Sequence, residues 1–141
     1  MSNQTFVIIK PDAVSNNKTG QIYDRILKAG FKILGAKLIK MTKEQANGFY
    51  AVHEGKPFYD ELTDFMSSGQ SMVLALQRDN AVAVWRKTIG ATNPADAEKG
   101  TIRRDFAISI GENAVHGSDS DENAEKEIGF FFTKSELIAN L

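Results

Sequence analysis

Ser71-Met72-Val73-Leu74-Ala75-Leu76 is apolar on both of its faces, and a strand of that kind belongs in the middle of a sheet, where each side is covered. Outward toward the N-terminus, Phe31 to Met41 forms a second extended run. Thr5-Phe6-Val7-Ile8-Ile9, short and rich in β-branched residues, forms a third that Pro11 closes. On the other side, Ala114-Val115-His116 supplies a last, short strand. Helix signals lie between. Gln21 to Ala29 places Ile22, Ile26 and Leu27 at helical spacing, with Lys28 in the last turn and Gly30 as a stop. Thr42-Lys43-Glu44-Gln45 has capping-box spacing and predicts a helix with Ala46, Phe49 and Tyr50 inward. Lys56-Pro57 opens another, with Phe58, Leu62, Phe65 and Met66 on one face. Asn80 is expected to cap a helix whose buried stripe is Val82, Trp85 and Ile89, with Arg86 beside it. Gly90 to Gly100 is turn chemistry and is expected as one long surface loop. Ser120-Asp121-Glu122-Asn123 starts a further helix, with Ala124, Ile128 and Phe131 inward. Because the second and third strands are joined through helices rather than a tight hairpin, the economical fold is an α/β (α+β) sandwich. Its core is ferredoxin-like, βαββαβ, a four-stranded antiparallel sheet with added helices.

A chain of 141 residues, 42% apolar and 25% charged, is expected to form a single domain, 1–141. Its net charge of -1 gives no global attraction to nucleic acid or to an acidic membrane, so an anionic ligand must be held by a local cluster. The absence of cysteine excludes disulfides and cysteine-based zinc sites. Met1-Ser2-Asn3-Gln4-Thr5 has no positive n-region, and the apolar run behind it is too short for a leader or a membrane span. The expected location is the cytoplasm.

Asn113-Ala114-Val115-His116-Gly117-Ser118-Asp119-Ser120 sets one imidazole among small, polar and acidic residues. A histidine nucleophile needs one ring nitrogen free and the other held as a donor. Glu127 is a candidate for holding it, or else an exposed helix carboxylate in a run where Glu122 and Lys126 pair at i, i+4. Ser118 could bond locally, serve a substrate, or cap the helix. Lys10, forced extended before Pro11, is either a solvated strand-end lysine or a phosphate-binding point charge. Arg86 and Arg103 fit phosphate oxygens bidentately, and Thr92 adds a hydroxyl, though each basic residue alone reads equally as surface charge. Asp119, Asp121 and Glu122 could be imagined as metal ligands, but acids at a helix start complement its dipole. A glycine-rich phosphate loop and the protein-kinase segments are missing.

Four segments together resemble the nucleoside diphosphate kinase family: Lys10-Pro11-Asp12-Ala13-Val14, Gly90-Ala91-Thr92-Asn93-Pro94-Ala95-Asp96, Gly100-Thr101-Ile102-Arg103 and Asn113 to Ser120. The likeness runs from about Thr5 to about Leu137. It implies that a nucleoside triphosphate gives its γ-phosphoryl group to Nδ1 of His116, and that a nucleoside diphosphate then collects it. It also implies that Glu127 contacts the other side of the imidazole and that Ser118 bonds Glu127. Lys10, Arg86, Thr92 and Arg103 match phosphate-binding positions; Tyr50 and Asn113 match those that arrange the lysine, the ribose and the phosphates. Phe58 matches the residue that stacks on the base, with Leu62 and Ile110 as apolar neighbours. Stacking tolerates any base, so broad nucleotide specificity is expected. Mg2+ is the expected cofactor, held mainly by nucleotide phosphates with Asp119 as its nearest carboxylate. The partners implied are nucleoside di- and triphosphates and further copies of this chain, as a tetramer or hexamer, with a dimer the remaining option. No membrane and no specific nucleic acid are expected. Ala13 replaces a frequent glycine and Gln70 a common proline, and the chain ends at Leu141 without the longer tail of many hexameric members. The competing reading is a catalytically silent nucleotide- or nucleic-acid-binding module on the same fold. The missing RNA-binding aromatics and the non-basic charge speak against it.

Overall fold

A computed structural model describes residues 3–140; Met1, Ser2 and Leu141, on which the readings of the chain's two ends partly rest, lie outside the described residues. Strand β1 (Gln4–Ile9) leads into two helices, α1 (Pro11–Ser15) and α2 (Thr19–Lys28). Strand β2 (Lys32–Lys40) is followed by α3 (Lys43–Phe49), a 3-10 turn at Ala51–His53, and α4 (Tyr59–Met66). Strand β3 (Gln70–Gln77) then precedes α5 (Ala81–Ile89), a 3-10 turn at Pro94–Asp96 and α6 (Ile102–Phe106). Strand β4 (Val115–Gly117), α7 (Asp121–Phe131) and α8 (Lys134–Ile138) complete the order.

The four strands form one antiparallel sheet in the order β2-β3-β1-β4, the ferredoxin-like arrangement expected. The run around Ser71 is central, as its two apolar faces require. Val73 and Ala75 face one cluster with Phe6, Ile8, Leu34, Met66 and Ile128, while Leu74 and Leu76 face the other with Val7, Ile9, Ile22, Ile26 and Trp85. Alternation along β1 and β3 thus splits the core into two layers. Each fully buried large apolar side chain contributes about 1.5–3 kcal/mol relative to its exposed state.

Several local expectations need correction. The Thr42–Gln45 capping box forms, but α4 starts at Tyr59 rather than at Lys56-Pro57. Those two residues belong to a turn closed by the Tyr59 amide on the Lys56 carbonyl, and Phe58 becomes the cap. Asn80 occupies the cap position of α5 without bonding through its side chain; it stands there because it tolerates φ 53°. The Gly90–Gly100 segment is not one open loop, since Asn93 accepts from the Ala95 amide and nucleates the turn at Pro94, and Ala97 is buried. The Glu122–Lys126 pair is absent from the ion pairs found among the described residues. Gln70, where the family commonly has proline, pairs with Lys40 at the entry to β3.

Helix α8, which no periodicity announced, closes over the β2 edge of the sheet. Thr133 and Glu136 cap it reciprocally, Lys37 bridges Glu136 at 2.7 Å and the Phe131 carbonyl at 2.8 Å, and Asn140 donates to the Leu34 carbonyl at 2.8 Å. Lys37 donates to the Glu136 carboxyl and holds its pKa down at about 2, with the Thr133 amide assisting. Gly35 lets this cover approach. A Cβ there would lie 2.8 Å from Cε1 of Phe132, so Gly35→Ala is expected to lower stability by about 1–3 kcal/mol through overpacking. A denaturant titration reads this directly, and an unchanged midpoint would contradict the packing argument.

Candidate active site

The nucleophile candidate is fixed from its backbone outward. His116 pairs with Ile8 across β4 and β1. Its carbonyl accepts from Trp85 Nε1 at 3.3 Å, and the Val115 carbonyl accepts from the Arg103 guanidinium at 2.9 Å. Gly117 makes this close approach feasible, because a Cβ there would fall 2.7 Å from the Trp85 ring. Phe6 and Phe49 present ring edges and faces to the imidazole at centroid distances of 6.1 and 5.7 Å. The ring therefore has one apolar wall and one open side.

Its tautomer follows from a carboxylate. Nε2 lies 2.9 Å from Oε1 of Glu127, and an ionised carboxylate only accepts, so the ring proton belongs on Nε2. Nδ1 keeps its lone pair. The Ser118 hydroxyl donates to the same Oε1 at 2.8 Å while accepting from the Phe6 amide at 3.2 Å. Ser118 is fully buried and does not cap α7; Ser120 does, through the Asn123 amide.

Around the imidazole lies a cleft of about 680 Å³, lined by Lys10, Tyr50, Arg86, Thr92, Arg103, Asp119 and Glu127 among others. The basic residues that alone read as surface charge converge here from β1's exit, α5 and α6. Lys10 donates to Oδ1 of Asn113 at 2.8 Å. Burial lowers its pKa to about 8, with Arg103 adding to the fall and Asp12 opposing it. Arg103 donates to the Gly90 carbonyl at 3.0 Å; burial, then Arg86, brings it down to about 10. Tyr50 is buried, and burial followed by the Glu127 charge pushes its phenol upward. Two cations that burial makes easier to deprotonate, held in one cleft of a protein whose net charge is -1, are a site that favours an arriving anion.

Four further sequence candidates lie outside the lining of this cleft. Asn113 is buried beneath the cleft, its side chain committed to Lys10 and, through Nδ2 at 3.3 Å, to the Thr92 carbonyl. It ties Lys10 to the Thr92 backbone. Phe58, Leu62 and Ile110 line a separate recess of about 520 Å³ with Phe65 and the Ser109–Glu112 loop. Phe58 is 46% and Ile110 58% exposed, so both present apolar surface outward. His53 links the two spaces. It lines the cleft, stacks toward Tyr50 at 6.4 Å and lies 5.2 Å from the Phe58 ring. Sequence reasoning missed it; its position four residues before Pro57 in a turn carries no periodic signal.

Asp119 reaches the cleft with a carboxylate kept below its usual range, first by the Asn123 side chain, whose Nδ2 donates to it at 2.6 Å. Among the described residues no group of three or more histidine or acidic side chains is disposed to hold a metal ion. A single ionised carboxylate fits a hard cation that takes most of its oxygens from phosphates and water. It does not fit a metal caged by protein.

An oriented imidazole with a free nitrogen, set among a lysine and two arginines on a ferredoxin-like sheet, is an arrangement suited to phosphoryl transfer. A family model described as nucleoside diphosphate kinase matches residues 3–137. The nucleoside diphosphate kinase of Geotalea uraniireducens is 57% identical over 135 residues, covering 96% of this chain and 98% of that protein. That of Salinibacter ruber is 53% identical over 139 residues, covering 99% and 98%. Among solved structures, the Aquifex aeolicus nucleoside diphosphate kinase superposes with a TM-score of 0.93 at 40% identity, covering 96% of this chain and 98% of that one. A halophilic nucleoside diphosphate kinase from Halobacterium salinarum in complex with CDP gives 0.92 at 38% identity, covering 97% and 91%. The chain belongs to the nucleoside diphosphate kinase family, and is a phosphotransferase.

Proposed function

We propose that this chain moves the terminal phosphoryl group from a nucleoside triphosphate to a nucleoside diphosphate in two steps, with His116 carrying it between them. The observation that supports this most directly is the Glu127 bond to Nε2, which leaves Nδ1 as the attacking atom. In the first step the Nδ1 lone pair forms a bond to the γ-phosphorus and the bond to the β,γ-bridging oxygen breaks. The nucleoside diphosphate leaves with that electron pair. A second diphosphate then attacks the phosphohistidine, and the lone pair returns to Nδ1. Nε2 keeps its proton throughout, and the Glu127 carboxylate offsets the positive charge that grows on the ring. Lys10, Arg86 and Arg103, with the Thr92 hydroxyl, stabilise charge on the transferring oxygens, which is most of what this chemistry asks of a protein. Tyr50 and Asn113 position Lys10 and the phosphates. Mg2+ on the nucleotide phosphates, with Asp119 beside it, would neutralise further charge there.

In this reading the whole chain acts as one domain in the cytoplasm, as a homo-oligomer; the exposed Leu27 and Leu38 are apolar surface that further copies could cover. No helix among the described residues is long and apolar enough to cross a membrane. Sedimentation equilibrium distinguishes dimer, tetramer and hexamer. The activity itself is tested with γ-labelled ATP: the protein should take up an acid-labile, base-stable label and release it onto added GDP. A label that no diphosphate removes would sink the proposal.

The recess behind Phe58 supplies the base site. Stacking of a base on an aromatic ring is worth about 1–3 kcal/mol, so Phe58→Ala is expected to raise nucleotide KM about tenfold with a smaller change in kcat. Equal losses for adenine, guanine and cytosine nucleotides are expected. A loss confined to one base would point to hydrogen-bond readout instead.

A further inference from the structure

Residues 113–116 take an unusual path just before the imidazole. Ala114 sits at φ 73°, and the Val115 amide donates to the Asn113 carbonyl at 2.8 Å. This is a three-residue γ-turn of the positive-φ kind, rare and strained for a residue with a Cβ. Such a conformation persists only where its surroundings over-determine it. Here the surroundings come from the other end of the chain. The Ala114 amide donates to Oδ2 of Asp12 at 3.0 Å, and the Ala114 carbonyl accepts from the Lys10 amide at 2.9 Å. Both backbone groups of the strained residue are thus gripped by the Lys10–Asp12 segment. On one side of the turn lies Asn113, which accepts from the Lys10 ammonium; on the other, two residues on, lies His116. The turn therefore sets the offset between ammonium and imidazole.

Asp12 is not an economical core residue. It is 4% exposed, and its second oxygen, Oδ1, is buried with no protein hydrogen-bond partner, an arrangement that destabilises a fold. A neutral acceptor would grip the Ala114 amide as well. The charge acts elsewhere: burial and Arg103 lower the Lys10 pKa, and Asp12 raises it. Burial raises the pKa of Asp12, the Ala114 amide and Lys10 lower it, and Glu112 raises it. Tyr50, Arg86, His116 and Glu127 are the other ionisable groups around this end of the cleft.

We propose that Asp12 is a positioning residue for the transfer: its carboxylate clamps the Ala114 turn and, through Asn113, sets the Lys10 ammonium against the phosphoryl group at His116. Asp12 touches no reacting atom and keeps its protonation state through both steps. The proposal rests on the roles given above to Lys10 and His116.

The test combines Asp12→Asn, Asp12→Ala, and Asp12→Ala with Ala114→Gly. Rapid-quench labelling with γ-labelled ATP gives the His116 phosphorylation rate, and the 13Cε shift of Lys10 gives its titration. Asp12→Ala is expected to phosphorylate at least thirtyfold more slowly at saturating ATP, with nucleotide KM changed less than threefold. Added Ala114→Gly should recover at least tenfold, because glycine adopts the turn without a clamp. Asp12→Asn keeps the clamp and should stay within about fivefold at pH 7, while its Lys10 titration moves to lower pH by at least half a unit. An Asp12→Ala rate within threefold of wild type, no recovery from Ala114→Gly, or an unmoved Lys10 titration in Asp12→Asn would each overturn it. Should Asp12→Ala not fold, the Asp12→Asn titration decides. If the wild-type protein takes no label at His116, the functional reading fails, and the Lys10 titration still reports on Asp12.

Discussion

His116→Ala loses phosphoryl transfer by about 10^5-fold or more, the scale seen when a covalent nucleophile is removed and binding and charge stabilisation remain. Nucleotide binding should survive, because the Lys10, Arg86 and Arg103 cations and the Phe58 recess do not depend on the imidazole. Stability should change little, since the His116 side chain is part-exposed and its backbone is pinned by Trp85 and by the pairing with Ile8. The measurement is a coupled turnover assay beside a fluorescence titration with a nucleoside diphosphate. Turnover within a hundredfold of wild type would move the nucleophile elsewhere. Glu127→Gln separates nucleophile from orientation: the amide can still meet Nε2 but lacks the charge that offsets the phosphohistidine, so a smaller loss, on the order of tenfold to a hundredfold, is expected by analogy with other supporting groups.

Lys10→Ala comes next in size. Removing one charge-stabilising donor from such a site costs about 10² to 10³ in kcat, and Lys10→Arg should restore little, because a planar guanidinium does not reproduce the compact point charge that Asn113 holds. The same residue predicts opposite responses of activity and stability to pH. With a pKa of about 8 in the folded protein against the ordinary lysine value of 10.5, the ammonium is lost from the free enzyme as pH rises through 8, and kcat/KM falls there. Bound phosphates favour the charged form, so kcat itself should hold to higher pH. Between about 8 and 10.5 the unfolded chain holds more protons at this lysine than the folded protein does. The contribution of Lys10 to stability therefore rises with pH across that window. At about 1.4 kcal/mol per unit, the effect is on the order of 3 kcal/mol. Comparing wild type with Lys10→Met by urea titration at pH 7 and pH 10 isolates it. A difference between the two proteins that does not change with pH would show the lysine unperturbed.

How much of this was legible in the sequence depended on the range of the interactions involved. Ser71 to Leu76 announced a central strand because both sides of a central strand must be apolar, Thr5 to Ile9 announced a buried one, and the Thr42–Gln45 and Ser120–Asn123 signals lie within one helical turn. Helices α1, α6 and α8 have five residues each, too few for a periodic stripe to stand out from chance. Asn80 misled because asparagine serves two purposes at helix starts, bonding as a cap and tolerating a left-handed backbone, and only the second is used here. The site divides in the same way. Lys10, Arg86, Thr92 and Arg103 read singly as solvated groups, and only the family resemblance put them together; the structure places them around one cleft. Asp12 and Ala114 stood inside the quoted motifs with no role of their own, because their meaning arises from a bond across 102 positions.

Ser118 bonds Phe6 across 112 positions, and Lys10 meets Asn113 across 103. Segments far apart in the sequence therefore complete each other, and β4 can join the sheet only by bringing Val115–Gly117 back onto β1. Contacts of such separation form late and slowly. Until α7 docks on β1, Nε2 of His116 lacks its Glu127 partner, so the geometry of the site depends on closure over long sequence distance and not on local structure.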